Sequence, residues 1–107
     1  MNKAVQVTMY LDESDHWHHK PLHLEVLQFL RREGVAGASA FHAVAGFNGR
    51  SAVRTSHLVE AGGNLPIVII FVDFEEHVSR VLPQLREMAP HRLIVRENVV
   101  IEQGNLD

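Results

Sequence analysis

The order in which two hydrophobic periods alternate constrains this chain more than any other feature. Val5, Val7, Met9 and Leu11 are separated by Gln6, Thr8 and Tyr10, a period of two that predicts a strand over residues 3–11. The polar stretch Asp12–His19 reads as a loop. Pro21 then opens a segment in which Leu22, Val26, Phe29 and Leu30 recur at helical spacing. Arg31 and Arg32 suit the negative end of that helix, and Gly34 supplies a C-terminal cap, so the helix is expected over residues 21–33. A second strand is expected over 38–47. Residues 48–64 show no period and carry the breakers Gly49, Gly62 and Gly63, the pattern of a long functional loop. Leu65–Asp73 is an Ile- and Val-rich strand. Glu75 and Glu76 favour the start of a second helix, in which Val78, Val81, Leu82, Leu85 and Met88 form the apolar face and Pro83 is expected to introduce a kink. Residues 93–101 read as the last strand. The order β-α-β-β-α-β predicts an α+β, ferredoxin-like sandwich: a four-stranded antiparallel sheet with two helices on one face.

That architecture sets a packing problem. Leu65, Ile67, Ile69 and Phe71 lie on one face of the third strand, and Val68, Ile70 and Val72 on the other. Two helices cover only one of these faces. The other leaves apolar surface in water, where each buried side chain of this kind is worth about 1.5–3 kcal/mol. Self-association through the sheet is the expected answer. At 107 residues the chain has room for a single domain, residues 1–107.

Composition removes several functions. Without cysteine there is no disulfide framework, thiolate nucleophile or cysteine zinc site. A net charge of −3 argues against a broad surface for duplex nucleic acid. The longest apolar run, Ile67–Val72, is far short of the roughly 20 residues of a membrane span, and the N-terminal residues carry no secretion signal. A soluble, cytoplasmic protein without membrane insertion is expected. Eight histidines are unusual for this size: protonating all of them would carry the formal charge from −3 to +5, so assembly or solubility is expected to respond to pH near 6.

Three places carry candidate chemistry. In Gly46-Phe47-Asn48-Gly49-Arg50 the glycines let backbone N–H groups approach an anion, Arg50 offers a charged fork, and Arg54 follows on the same loop. The plain alternative is a turn at a strand end; the Walker A ending is missing. Lys20, just before the first helix, brings a further positive charge, and the N-terminus of that helix favours phosphate. In Asp15-His16-Trp17-His18-His19, the imidazoles of His16, His18 and His19 suit a divalent metal, with Asp12, Glu13 and Asp15 as oxygen donors, although the spacing matches no standard metal motif. The alternative is a polar loop capping the helix, with Trp17 packed on a neighbouring subunit. His42 is expected on the same strand face as Ala40 and Val44, as a structural residue or a ligand contact. Ser51, Thr55 and Ser56 lie near His57, and Asp73 ends a strand, but no nucleophile, base and orienting group assemble from their spacing, so an enzyme is not expected.

Taken together, several segments resemble one family. They are Tyr10-Leu11-Asp12-Glu13-Ser14-Asp15, Lys20-Pro21-Leu22, Gly34-Val35-Ala36-Gly37-Ala38-Ser39, Ala45-Gly46-Phe47 and Leu65-Pro66-Ile67-Val68-Ile69-Ile70-Phe71-Val72-Asp73. In this order the chain resembles, over nearly its whole length, the small bacterial and archaeal PII-like proteins found near or fused to fluoride-exporting channels. Where that family commonly has an Arg-Gly pair before a Gly-Phe-Gly turn, this chain has His42 and Ala43, and Asn48 displaces the second glycine of the turn. The resemblance implies a homotrimer with sheets facing inward and ligand clefts between subunits. It also implies an adenine nucleotide or another small anionic metabolite as ligand, no required cofactor, and a loop over residues 48–64 that regulates a partner protein such as a membrane channel or transporter. Lys20, His42, Gly46, Phe47, Asn48, Gly49, Arg50 and Arg54 are the ligand-binding candidates. A divalent-metal or stress-related protein using His16, His18 and His19, and a structural trimer without a ligand, remain the alternatives.

Overall fold

A computed structural model describes residues 3–55 and 64–104. Its strands and helices are β1 (Ala4–Asp12), β2 (His16–Trp17), β3 (Lys20–Pro21), α1 (Leu22–Arg32), β4 (Ala38–His42), β5 (Ala45–Gly46), β6 (Arg54–Thr55), β7 (Pro66–Phe74), α2 (Glu75–Met88) and β8 (Leu93–Val99). The main sheet has the order β4-β7-β1-β8, antiparallel throughout. This is the ferredoxin-like arrangement that the alternating periods predict.

The period of two works as expected in β1 and β7. Val5, Val7, Met9 and Leu11 interleave with Ile67, Ile69 and Phe71 on the inner face, all essentially fully buried. The helices close over them with Leu22, Val26 and Leu30 from α1 and Val78, Val81, Leu85 and Met88 from α2. Helix α2 continues through Pro83 to Met88. At the far end of the core, His77 Nδ1 lies 3.0 Å from the buried Asp73 carboxylate and its Nε2 donates to the Glu33 carbonyl at 2.7 Å. That side chain ties the start of α2 to the end of α1.

The outer sheet face has no such cover. Val68, Ile70 and Val72 are half-buried, and Tyr10, Phe41, Leu93 and Val95 are exposed around them. Their registers, Tyr10 opposite Val68 and Leu93, and Thr8 opposite Ile70 and Val95, make one continuous apolar surface. The two-faced third strand is therefore real, with its outer half bare in the single chain.

Three expectations need correction. The stretch Asp12–His19 is not simply a loop: β2 and β3 pair His16 with Pro21 and Trp17 with Lys20 across a two-residue turn. His18 and His19 occupy that turn with φ of 51° and 70°, the left-handed pair that a tight hairpin requires. Trp17 packs half-buried on this chain's own core and stacks on His18. The second strand also ends earlier than expected. Ala43 donates to the Pro66 carbonyl at 2.9 Å, but Pro66 has no N–H to return, and the ladder stops. Val44 thus leaves the face that His42 shares with Ala40. Arg54 and Thr55, expected within a loop over 48–64, instead form β6 and pair with β5, Ala45 with Thr55 and Gly46 with Arg54, while residues 56–63 of that expected loop lie outside the described residues.

Candidate functional site

At the C-terminal end of β1, three distant stretches of chain meet on one carboxylate. Asp12 is largely buried. Its Oδ1 accepts hydrogen bonds from Asn48 Nδ2 at 2.9 Å and from the Arg54 guanidinium, and its Oδ2 accepts from Arg92 at 2.9 Å. Arg92 also grips Asp15 bidentately, through Nε at 2.8 Å and its terminal nitrogen at 2.7 Å. Asp15 in turn accepts from the Asp12 backbone N–H at 3.0 Å. The cluster joins the end of β1, both sides of the β5–β6 ladder and the turn between α2 and β8.

Local sequence explains each position. Asn48 caps the turn that starts β5's exit: Ser51 N–H donates to the Asn48 carbonyl at 3.2 Å. Gly49 sits in that turn at φ 59°, a conformation that favours glycine. Arg54 is brought opposite Gly46 by the ladder, and its second terminal nitrogen donates to the Asn64 carbonyl at 3.1 Å. Asp15 also anchors the hairpin, because its carbonyl accepts the Leu22 N–H at 2.8 Å and so satisfies the first turn of α1. The polar stretch thus caps the helix through its backbone.

The electrostatics follow from this geometry. Burial alone would raise the Asp12 pKa, but the hydrogen bonds from Arg54 and Asn48, with the charges of Arg92 and Arg54, outweigh it and hold the carboxyl below its usual value of 3.8. The hydrogen bonds to Asp15 stabilise the charged form of Arg92. A second pair lies alongside: His42 Nε2 donates to Glu13 Oε2 at 2.9 Å, and this bond lowers the Glu13 pKa. His23 feels both. Its burial, followed by the charge of His42, pulls its pKa below 6.5 against the opposing effect of Glu13.

Among the proposed ligand contacts, Asn48 and Arg54 are therefore brought together, but onto Asp12. His42 is engaged with Glu13. Gly46 lies in β5, Phe47 is exposed, and Lys20 and Arg50 are exposed without an ion pair among the described residues. Ser56, His57, Gly62 and Gly63 lie outside the described residues. The histidines of the hairpin do not converge: His16 Nδ1 faces the Ser14 carbonyl at 2.7 Å and His18 lies on Trp17. Among the described residues no group of three or more His, Asp or Glu is arranged to hold a metal ion. No described helix is long and apolar enough to cross a membrane.

One opening borders the site, and another lies towards the opposite end of the sheet. A cleft of about 340 Å³ beside the Arg92–Asp15 pair has Leu22, Met88 and Pro90 as its apolar walls and His16 and His91 among its polar ones. A wider, open one of about 880 Å³ lies on the sheet's outer side between Ser39, Ile70, Val72 and residues 99–104. Among the described residues its ionisable lining is a single carboxylate, Glu102, which is unsuited to an anion.

Arg92, Asp12 and Asp15 are the residues of this site that sequence patterns did not single out as anion-site machinery. Asp12 and Asp15 had appeared only as oxygen donors to a metal. The one local signal is the Asp-x-x-Asp spacing at a strand end, which makes a turn: the Asp15 N–H donates to the Asp12 carbonyl at 3.0 Å.

The described residues form an α+β protein of ferredoxin-like topology with this charged junction at one end of its sheet. Residues 4–101 match the family DUF190, described as "Uncharacterized ACR, COG1993", and the chain belongs to that family. It is 34% identical over 88 residues to a UPF0166 protein of Methanocaldococcus jannaschii, covering 82% of this chain and 81% of the relative. A UPF0166 protein of Aquifex aeolicus is 27% identical over 84 residues, with 78% and 80% covered. Among solved structures, the fold is similar to CPII, a nitrogen regulatory PII-like protein from Thiomonas intermedia K12 bound to ADP, AMP and bicarbonate. There the TM-score is 0.69 and the identity 18%, over 94% of this chain and 90% of that one. It is also similar to the divalent ion tolerance protein CutA1 from Ehrlichia chaffeensis, with TM-score 0.62 and 11% identity over 98% and 87%.

Proposed function

We propose that this protein is a cytoplasmic PII-like regulator rather than an enzyme, binding a small anionic metabolite, an adenine nucleotide foremost, in clefts between the subunits of a homotrimer. The observation that carries this reading is the convergence of Arg54, Arg92 and Asn48 at the end of β1, where the base of the 48–64 loop meets the α2–β8 turn. Arginine forks suit phosphate and carboxylate oxygens, and here Arg54 stands on β6 and Arg92 in the α2–β8 turn. The bare apolar sheet face supplies the reason to assemble. A similar fold bound to ADP, AMP and bicarbonate supports the ligand class. Binding at the loop base would then favour one loop state over another and so alter affinity for a partner protein, with a membrane channel or transporter the foremost candidate.

Calorimetry with ATP, ADP, AMP and cyclic AMP tests the reading. Binding of one of them is expected, and Arg54→Ala should weaken it by at least about tenfold, the lower end of a lost charged hydrogen bond of about 1.5–3 kcal/mol. No heat from any of the four at millimolar concentration would contradict the nucleotide reading.

A further inference from the structure

We propose that Asp12 is a built-in counter-anion that occupies Arg54 until an anionic ligand takes the arginine from it; this rests on the anion-binding reading above. Two aspartates and two arginines make up the junction, so as folded it offers an anion no net positive charge. Affinity for a phosphate or carboxylate must come from exchange of partners rather than from filling an empty cationic pocket.

The two arginines are not equally available for that exchange. Arg92 has Nε and a terminal nitrogen on Asp15 and also reaches Asp12, a bidentate anchor that leaves little to gain. Arg54 touches Asp12 through one terminal nitrogen and the Asn64 carbonyl through the other. Its Nε is buried with no hydrogen-bond partner among the described residues. A buried donor without an acceptor is unfavourable, and turning the guanidinium edge onto two oxygens of one ligand group satisfies it. Asp12 can release Arg54 without being orphaned, because Arg92 and Asn48 still donate to it. The exchange is thus confined to one arginine, and that arginine lies on β6, where it pairs with Gly46 across the loop base. Ligand occupancy would in this way reach the loop through a change of partner at Arg54, while the Arg92–Asp15 anchor stays fixed.

The test follows the arginine Nε–H signals of the unmodified protein by NMR during titration with ADP and with pyrophosphate, alongside calorimetry of Asp12→Asn and Asp15→Asn. On saturation the Arg54 signal should move and the Arg92 signal should stay. Asp12→Asn should bind either probe at least about fivefold more tightly. Asp15→Asn, which adds the same charge nearby but leaves Arg54 held, should change affinity by less than about twofold. Equal gains in both variants would reduce the effect to general charge and overturn the exchange. So would binding that leaves the Arg54 signal in place, an outcome under which the anion-binding reading still stands. If neither probe binds the unmodified protein, both readings fall together. Should Asp12→Asn not fold, the titration of the unmodified protein decides alone.

Discussion

The carboxylate of Asp12 and the imidazole of His23 both have pKa values pulled below their ordinary ones by their surroundings. Asp12 is held ionised in the fold by its three donors, below the 3.8 of a free carboxyl. A group with a lowered folded pKa contributes its stabilisation above its unfolded value and loses it as pH falls through the folded one. Urea unfolding should therefore show stability falling steeply below about pH 4, and Asp12→Asn should flatten that limb. An unaltered limb in the variant would mean that other carboxylates set it. His23 works in a higher window. Kept neutral by burial and by His42, it protonates more readily in the unfolded chain than in the fold. Its contribution is complete above about pH 6.5 and is lost as pH falls from there towards its folded value. The urea midpoint should thus decline between about pH 7.5 and 5.5, and His23→Gln should remove that slope. The charge count of eight histidines pointed to this range, but it could not single out His23, whose burial and cationic neighbour His42 lower its pKa.

Elements with a long period were legible, and short ones were not. Strands β1 and β7 and both helices fell within a residue or two of their expected bounds, because each repeats its apolar period several times against the same core. The hairpin β2–β3 has two residues per strand, too few for any period, and its turn lacks the Asn-Gly pair that marks such hairpins. His18 and His19 hold that turn at a steric cost that glycine would not incur. His19→Gly should accordingly stabilise the protein by up to about 1 kcal/mol, after part is offset by the chain entropy of glycine. A melting temperature raised by up to about 4–8 °C is the expected readout, and a lowered one would contradict the assignment of strain to the turn. The early end of β4 was legible in principle: Pro66, in plain view in the sequence, cannot donate to the ladder. Knowing that it faced β4 required the register. The charged junction was legible only in halves. Asn48 and Arg54 stood out because glycines and a long loop surround them. Arg92 reaches Asp12 and Asp15 across 80 and 77 positions, and no local spacing records such a contact.

At the scale of the whole molecule, the decisive feature is the sheet face that the helices leave bare. Val68, Ile70 and Val72, with Tyr10, Phe41, Leu93 and Val95, form an apolar surface continuous across the strands of the sheet. Monomers seldom carry such a surface uncovered. Ile70→Glu places a charge at its centre without touching the inner core, so the variant should remain folded by circular dichroism while losing its assembly. The clefts of the proposed function exist only if assembly occurs, so the mass of the particle bears on every functional statement made for this chain. Light scattering coupled to gel filtration at micromolar concentration and pH 8 measures it directly. The account predicts about three times the 12.1 kDa of one chain; a clean monomer under the same conditions would contradict it.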